Sequence, residues 1–147
     1  VYAGYFALFT RNLVRFIDPG IVIRRAEKVV ITPFAHLVHQ EMDGRFKIFT
    51  GFSGSGPAMA ELAARYSKME KDGFDDMARD ALGEFINVQN GLFLSKLSND
   101  WVELELLPPE CRSDGIIRAV GVAYAIPFSL PFGEFTFFIG LGSPIFN

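Results

Sequence analysis

An α+β fold is predicted for this chain: a mainly antiparallel sheet covered by long helices, in the order α-β-β-α-α-β-β-β. Three observations carry the expectation. Apolar residues recur at spacings of three and four along long segments, β-branched and aromatic residues gather in short runs elsewhere, and 50% of the 147 residues are hydrophobic. Tyr2, Phe6, Phe9, Leu13 and Phe16 define a first helix that stops before Asp18-Pro19-Gly20. Ile21 to Ile31 and Arg45 to Phe52 read as strands, the second alternating around Phe46, Ile48 and Thr50, with a connection near Asp43-Gly44. Gly54-Ser55-Gly56-Pro57 opens a second helix, proline being acceptable in a first turn; it runs to about Met69, and Lys71-Asp72-Gly73 ends it. Asp75 to about Leu97 is the longest helix, and Trp101 to Leu107, Ile116 to Ala125 and Glu134 to Gly140 are three further strands. The length predicts one domain over residues 1–147, and an opening at Val1 instead of methionine leaves room for residues upstream.

Charge and cysteine content narrow the function classes. A net charge of −3 without a Lys/Arg cluster argues against nucleic acid, whose binding rests on neutralising phosphates. Cys111 is the one cysteine, so no intrachain disulfide is available; a reducing cytoplasm is the expected setting and the thiol is read as structural. The most apolar stretch, Ala119 to Leu141, is interrupted by Pro127, Pro131, Gly133 and Glu134, which suits strands and a turn and not a membrane span.

The long helix concentrates the chemistry. At about 100° per residue, Asp76, Asp80, Glu84, Asn87 and Gly91 share one face, while Ala78, Leu82, Phe85, Ile86, Leu92 and Phe93 lie on the other. The polar stripe is therefore expected to be exposed. Gly83 and Gly91 lie in or beside it, each costing about 1 kcal/mol of helix stability relative to alanine. They fit either close approach by another protein or packing against this chain's own first helix.

The segment Asp80-Ala81-Leu82-Gly83-Glu84-Phe85-Ile86-Asn87-Val88-Gln89-Asn90-Gly91, followed by Pro108-Pro109, resembles the signature of the CheC/CheX chemotaxis phosphatases. Pro109 stands one residue ahead of the family's usual interval, which lands on Glu110. A single Glu-x-x-Asn on a suitable helix resembles CheX, with one site, more than CheC, with two. The resemblance covers about Arg45 to Gly142.

What the resemblance implies is a protein phosphatase acting on the phosphoaspartate of a CheY-like receiver, in which Asn87 orients the attacking water and Glu84 pairs with the receiver's lysine. Asp80, Gly83 and Gly91 would belong to the partner-binding face. Mg²⁺ is expected on the receiver, with no metal or cofactor on this chain, and a homodimer is implied, in which the exposed edge of a sheet containing long apolar strands such as Ile116 to Ala125 would be paired. The same fold used as a non-catalytic adaptor for a receiver or flagellar-switch component is the alternative, because fold alone does not establish activity.

Two other constellations carry less. His36 and His39, on an apparent loop, lack a second ligand cluster, so no metal site is expected there. Gly51 to Pro57 lies between a strand and a helix but lacks the Lys-Ser/Thr ending of a phosphate loop, and it is read as a turn.

Overall fold

The structure is a computed structural model describing residues 2–70, 73–98 and 104–147. Helix α1 (Tyr2–Phe16) leads into two short strands, β1 (Val22–Ile23) and β2 (Glu27–Lys28), and then into the long β3 (Ile31–Gly44) and β4 (Ile48–Gly54). Helices α2 (Gly56–Ser67) and α3 (Asp76–Ser98) follow, then β5 (Leu104–Leu106), β6 (Glu110–Arg118), β7 (Ala123–Leu130), β8 (Gly133–Leu141) and β9 (Ile145–Phe146). The strands form one antiparallel sheet in the order β1-β7-β8-β4-β3-β6-β9, with β2 also on β7 and β5 also on β3.

The α+β architecture is the expected one, and the principal differences lie in strand boundaries. Ile21 to Ile31 is not one strand: it splits into β1, β2 and the first residue of β3. The residues expected to form a loop around His36 and His39 are the middle of β3, paired to β4 on one side and to β6 on the other. Ile116 to Ala125 is likewise not one strand, because its middle is the turn joining β6 to β7. Trp101, Val102 and Glu103, the start of the expected fifth strand, lie outside the described residues, as do Lys71 and Asp72 at the expected helix end.

Alternation along the central strands divides two apolar clusters between the faces of the sheet. On the helix side, Val38, Met42, Ile48, Phe52, Phe137 and Ile139 meet Tyr5, Phe9 and Leu13 of α1, Met59 and Leu62 of α2, and Leu82, Phe85 and Ile86 of α3. Phe9 is central: its ring lies 4.4 Å from that of Phe137 and 6.0 Å from that of Phe85. Leu37, Phe49, Ile117, Ala123 and Phe138 belong to the cluster on the opposite face. Strand β4 is buried from Ile48 to Ser53 because β3 and β8 flank it and a cluster covers each side. The central β8 also carries Gly140, where a Cβ would come within 2.6 Å of the Phe49 ring and of the Ala123 methyl, so packing there requires glycine.

Local chemistry fixes the helix ends. Ser55 Oγ accepts from the Ala58 amide at 3.2 Å to cap α2, and Lys68 closes it in the left-handed conformation at φ 58°. Asp75 Oδ1 accepts from the Ala78 amide at 2.9 Å and caps α3. Among the described side chains of α1, Tyr5, Phe9, Asn12 and Leu13 are buried, so the stripe takes in Tyr5 and Asn12 besides the expected Phe9 and Leu13, while Phe6 is only half-buried.

His36 and His39, three residues apart on a strand, occupy opposite faces. His36 meets the Phe74 ring on the helix side and shares a hydrogen bond with Ser113 Oγ at 3.0 Å. His39 is buried against the Phe146 ring, and its Nε2 accepts from Arg112 Nε at 3.0 Å. Burial lowers the His39 pKa to about 4, a shift that Glu110 opposes and Arg112 reinforces. At neutral pH the ring is therefore uncharged, and its 3.5 Å approach to Glu110 is not an ion pair.

Because the folded pKa lies below the unfolded one, the unfolded chain takes up the proton first as pH falls. Stability is therefore full above about pH 6.5 and declines toward about pH 4, by on the order of 3 kcal/mol from this group. Urea unfolding across this window should show His39→Gln with a shallower loss than the parent; equal slopes would refute the assignment.

Candidate functional site

Helix α3 presents two faces of different chemistry. Ala78, Ala81, Leu82, Phe85, Ile86, Gln89, Asn90 and Phe93 are buried, whereas Asp76, Asp80, Glu84 and Asn87 are exposed. Leu92, expected on the core side, is 47% exposed, because the apolar stripe continues through Gln89 and Asn90 to Phe93 instead. The polar stripe borders an open groove of about 730 Å³ lined by Asp76, Arg79, Asp80, Gly83, Glu84, Asn87, Pro109 and Cys111. Glu84 and Asn87, one helical turn apart, thus face the same space.

The opposite wall comes from the segment between β5 and β6. The Leu107 amide donates to the Glu41 carbonyl at 3.0 Å, tying this segment to β3, and Pro109 follows two residues later. Pro109 rests on Gly83: a Cβ at that glycine would lie 3.6 Å from Pro109 Cγ. Gly83 is therefore buried under this chain's own loop, and not under α1 or left as bare surface. Gly91 is half-buried and faces Leu106, 4.0 Å from where a Cβ would stand.

The groove is acidic. Asp76, Asp80 and Glu84 line it with one cation, Arg79, which is otherwise engaged: its Nη2 donates to Ser113 Oγ at 3.3 Å and its guanidinium lies 5.3 Å from the Phe74 ring. Burial pushes the Cys111 thiol up, and its Sγ donates to the Arg79 carbonyl at 3.8 Å, as suits an unreactive side chain. Burial, aided by the Glu84 carboxylate, also raises the Tyr66 phenol, whose ring stacks on Phe85 at 5.1 Å. Among the described residues no three His, Cys, Asp or Glu side chains converge as a metal site, and no helix is long and apolar enough to cross a membrane.

Beneath the groove lies a polar network that sequence reading missed. Asn87 Oδ1 accepts from Gln40 Nε2 at 2.8 Å, and the same nitrogen donates to the Leu107 carbonyl at 2.7 Å. Gln40 Oε1 accepts from Asn90 Nδ2 at 2.8 Å, and Asn90 is bonded in turn to Thr50 and to the Tyr5 hydroxyl. Gln40, Thr50, Asn90 and Tyr5 are all buried. The signal available in the sequence was positional: Gln40 stands at an inward site between Val38 and Met42, and Asn90 lies on the helix face of Ile86 and Phe93.

The profile of the family described as "Chemotaxis phosphatase CheX" matches residues 37–129, more than half of the chain and all of the groove. The chain belongs to the CheX family of chemotaxis phosphatases. Its fold agrees over nearly the full length. A CheC-like superfamily protein from Shewanella sp. PV-4 superposes with a TM-score of 0.78 at 15% identity, covering 95% of each chain. CheX from Desulfovibrio desulfuricans gives 0.77 at 18% identity, covering 94% of this chain and 96% of that one. The CheX–CheY–BeF3–Mg²⁺ complex from Borrelia burgdorferi gives 0.63 at 15% identity, covering 95% and 98%. No curated protein sequence matches. As a CheX-family member the chain is a protein phosphatase directed at CheY-like receivers.

The glycine geometry gives a direct test. A methyl group at Gly83 or Gly91 meets its neighbour at ordinary contact distance, so Gly83→Ala and Gly91→Ala should each stabilise the protein by up to about 1 kcal/mol through helix propensity. Denaturant unfolding checks this. A loss of stability at Gly83 would mean that Pro109 cannot sit over even one added methyl.

Proposed function

We propose that this phosphatase hydrolyses the receiver's phosphoaspartate with Asn87 orienting the attacking water and Glu84 anchoring the receiver's active-site lysine. The observation that carries the reading is the exposed Glu84/Asn87 pair on one groove, with the Asn87 amide held from beneath by Gln40. An acyl phosphate is already activated, so its hydrolysis gains chiefly from an in-line water. The water oxygen bonds to phosphorus, the bond from phosphorus to the aspartyl oxygen breaks, and the released carboxylate stays on the receiver while the water's proton leaves on inorganic phosphate or to solvent. A neutral amide both donates and accepts without adding charge beside the phosphoryl group. A carboxylate facing a lysine makes a charge-assisted bond that fixes the docking register.

On this reading Asp80 extends the acidic docking face, Gly83 contributes by seating Pro109, and Gly91 keeps the next turn slim. Mg²⁺ belongs to the receiver, as the composition of the Borrelia complex supports. The chain acts as one unit over residues 1–147, in the cytoplasm, where such receivers work.

Asn87→Ala should remove at least about tenfold of the accelerated dephosphorylation while leaving the affinity for a beryllofluoride-loaded receiver within about twofold. Glu84→Ala should weaken that affinity, and Glu84→Lys should weaken it further, because it sets like charge against the receiver's lysine. Decay of phosphorylated receiver and equilibrium binding read the two effects, with p-nitrophenyl phosphate as a substrate that neither parent nor variant hydrolyses appreciably. A parental rate for Asn87→Ala would move the catalytic group elsewhere, and a parent that binds the receiver without accelerating its dephosphorylation would favour the adaptor reading.

Homodimerisation is part of the proposal, with its site revised. The outer edge of β7 is occupied by β1 and β2, and the open part of β6 carries Glu110, Arg112 and Asp114, charges that discourage strand pairing. An exposed apolar group, Val30, Ile31, Val120, Val122, Leu141 and Ile145, gathers instead at one end of the sheet. Sedimentation at several concentrations should show a dimer in the parent and a monomer in Val30→Glu/Val120→Glu; a parent that stays monomeric at every concentration removes this element.

A further inference from the structure

We propose that Gln40 is a positioning residue for catalysis, a buried amide that fixes which atoms Asn87 offers to the attacking water; this inference rests on the catalytic reading of Asn87. Leu107 O can only accept, so the Gln40 atom 2.7 Å away must be the nitrogen. The second hydrogen of that nitrogen then goes to Asn87, whose contacting atom at 2.8 Å must be Oδ1. Gln40 Oε1 is left to accept from Asn90 Nδ2 at 2.8 Å, and Asn90 Oδ1 from the Tyr5 hydroxyl. Every amide along the chain thereby has one permitted sense, set by a carbonyl that cannot flip.

The consequence reaches the groove. An unrestrained surface asparagine rotates and flips between two nearly isosteric states, presenting oxygen or nitrogen in turn. Here Gln40 consumes one lone pair of Oδ1. Asn87 therefore meets the groove with its other lone pair and both Nδ2 hydrogens, and Nδ2 has no hydrogen-bond partner among the described residues. Because Gln40 is 1% exposed and lies on the central strand β3, the restraint comes from the core and not from a mobile loop. The Leu107 carbonyl is held in the segment that also carries Pro109, so the same bond that orients Asn87 locates the opposite wall of the groove.

The test uses the full chain, a phosphorylated receiver and, for affinity, the beryllofluoride-loaded receiver. Gln40→Met, close in shape but unable to hydrogen-bond, should lower the dephosphorylation rate constant at saturation by about tenfold to a hundredfold, with affinity falling by a clearly smaller factor. In combination with Asn87→Ala it should slow the reaction no further than Asn87→Ala alone, since a positioning residue has nothing left to position. Gln40→Glu supplies a pH-dependent readout, taken beside its affinity for the beryllofluoride-loaded receiver, which a loss of structure would lower in parallel with the rate and a loss of positioning would not. Its carboxyl can donate to Leu107 or Asn87 only when protonated, so its rate relative to the parent should rise as pH falls, and it also decides the matter if Gln40→Met does not fold. A parental rate constant in Gln40→Met with Asn87→Ala inactive overturns this inference alone. So does a Gln40→Met/Asn87→Ala protein that loses the full factor of each change, or a Gln40→Glu rate ratio that is flat with pH. A parental rate in Asn87→Ala overturns the catalytic reading beneath it.

Discussion

The hydrogen bond from Gln40 to the Leu107 carbonyl is the contact on which the arrangement of helix, sheet and loop depends. Apolar packing alone specifies α3 loosely, because a leucine and phenylalanine interface tolerates small slides with little loss. A buried amide does not. Leaving one of its polar atoms unpaired costs about 1–3 kcal/mol, and Gln40, Asn90 and Thr50 are satisfied together only when α3 holds one rotation and one height over β3 and β4. Tyr5 brings α1 into the same condition through its bonds to Asn90 and Thr50, and burial raises its phenol pKa, so it stays a neutral donor. Asn12 adds a second polar tie between α1 and α3 through Gln89.

A fixed helix register is what a positioning catalyst requires. On the proposed mechanism the receiver brings the electrophile and the metal, and this chain contributes one water geometry and one docking geometry. Errors in α3 would move Glu84 and Asn87 together relative to Pro109, and the wall opposite them would no longer match. Gly83 lies under Pro109 and Gly91 faces Leu106, so the helix runs beside the β5–β6 segment at two points, each with room for a methyl group. The substrate-facing surface is thus built between elements that the core already holds.

Long periodic elements were legible in the sequence, and so was the acidic stripe. Tyr2–Phe16 and Asp76–Ser98 have helical spacing over several turns, and Ser55 and Asp75 are cap residues of familiar type. The strands were harder for local physical reasons. β3 carries His36, His39, Gln40 and Glu41 among its apolar residues, so it reads as polar, although partners on both sides bury most of its middle. The β6–β7 turn is made by Ala119, Val120, Gly121 and Val122, residues with strand-like composition that reverse the chain at a glycine. The acidic stripe was visible because exposed positions keep helical periodicity. What lies under it was not, because a glutamine at an inward strand position and an asparagine on a core helix face find each other only when the fold brings residues 40 and 90 together.

On the proposed mechanism, the requirement for an amide at position 87 comes from the outside of the protein and not from the core. Gln40 Nε2 would donate to a carboxylate at position 87 at least as well as to the amide oxygen, since charge-assisted bonds are the stronger. Nothing in the packing of α3 selects asparagine over aspartate. The selection appears only when the groove is considered with a phosphoryl group in it: three carboxylates already line its rim, and a fourth beside the phosphorus would repel the phosphoryl oxygens and offer no hydrogen to them or to the water. The proposed mechanism accordingly puts charge at the docking positions, where a receiver lysine would answer it, and neutrality at the reacting position. The buried Gln40 is compatible with either residue, so it governs where the side chain stands, while the chemistry of the partner governs what the side chain is.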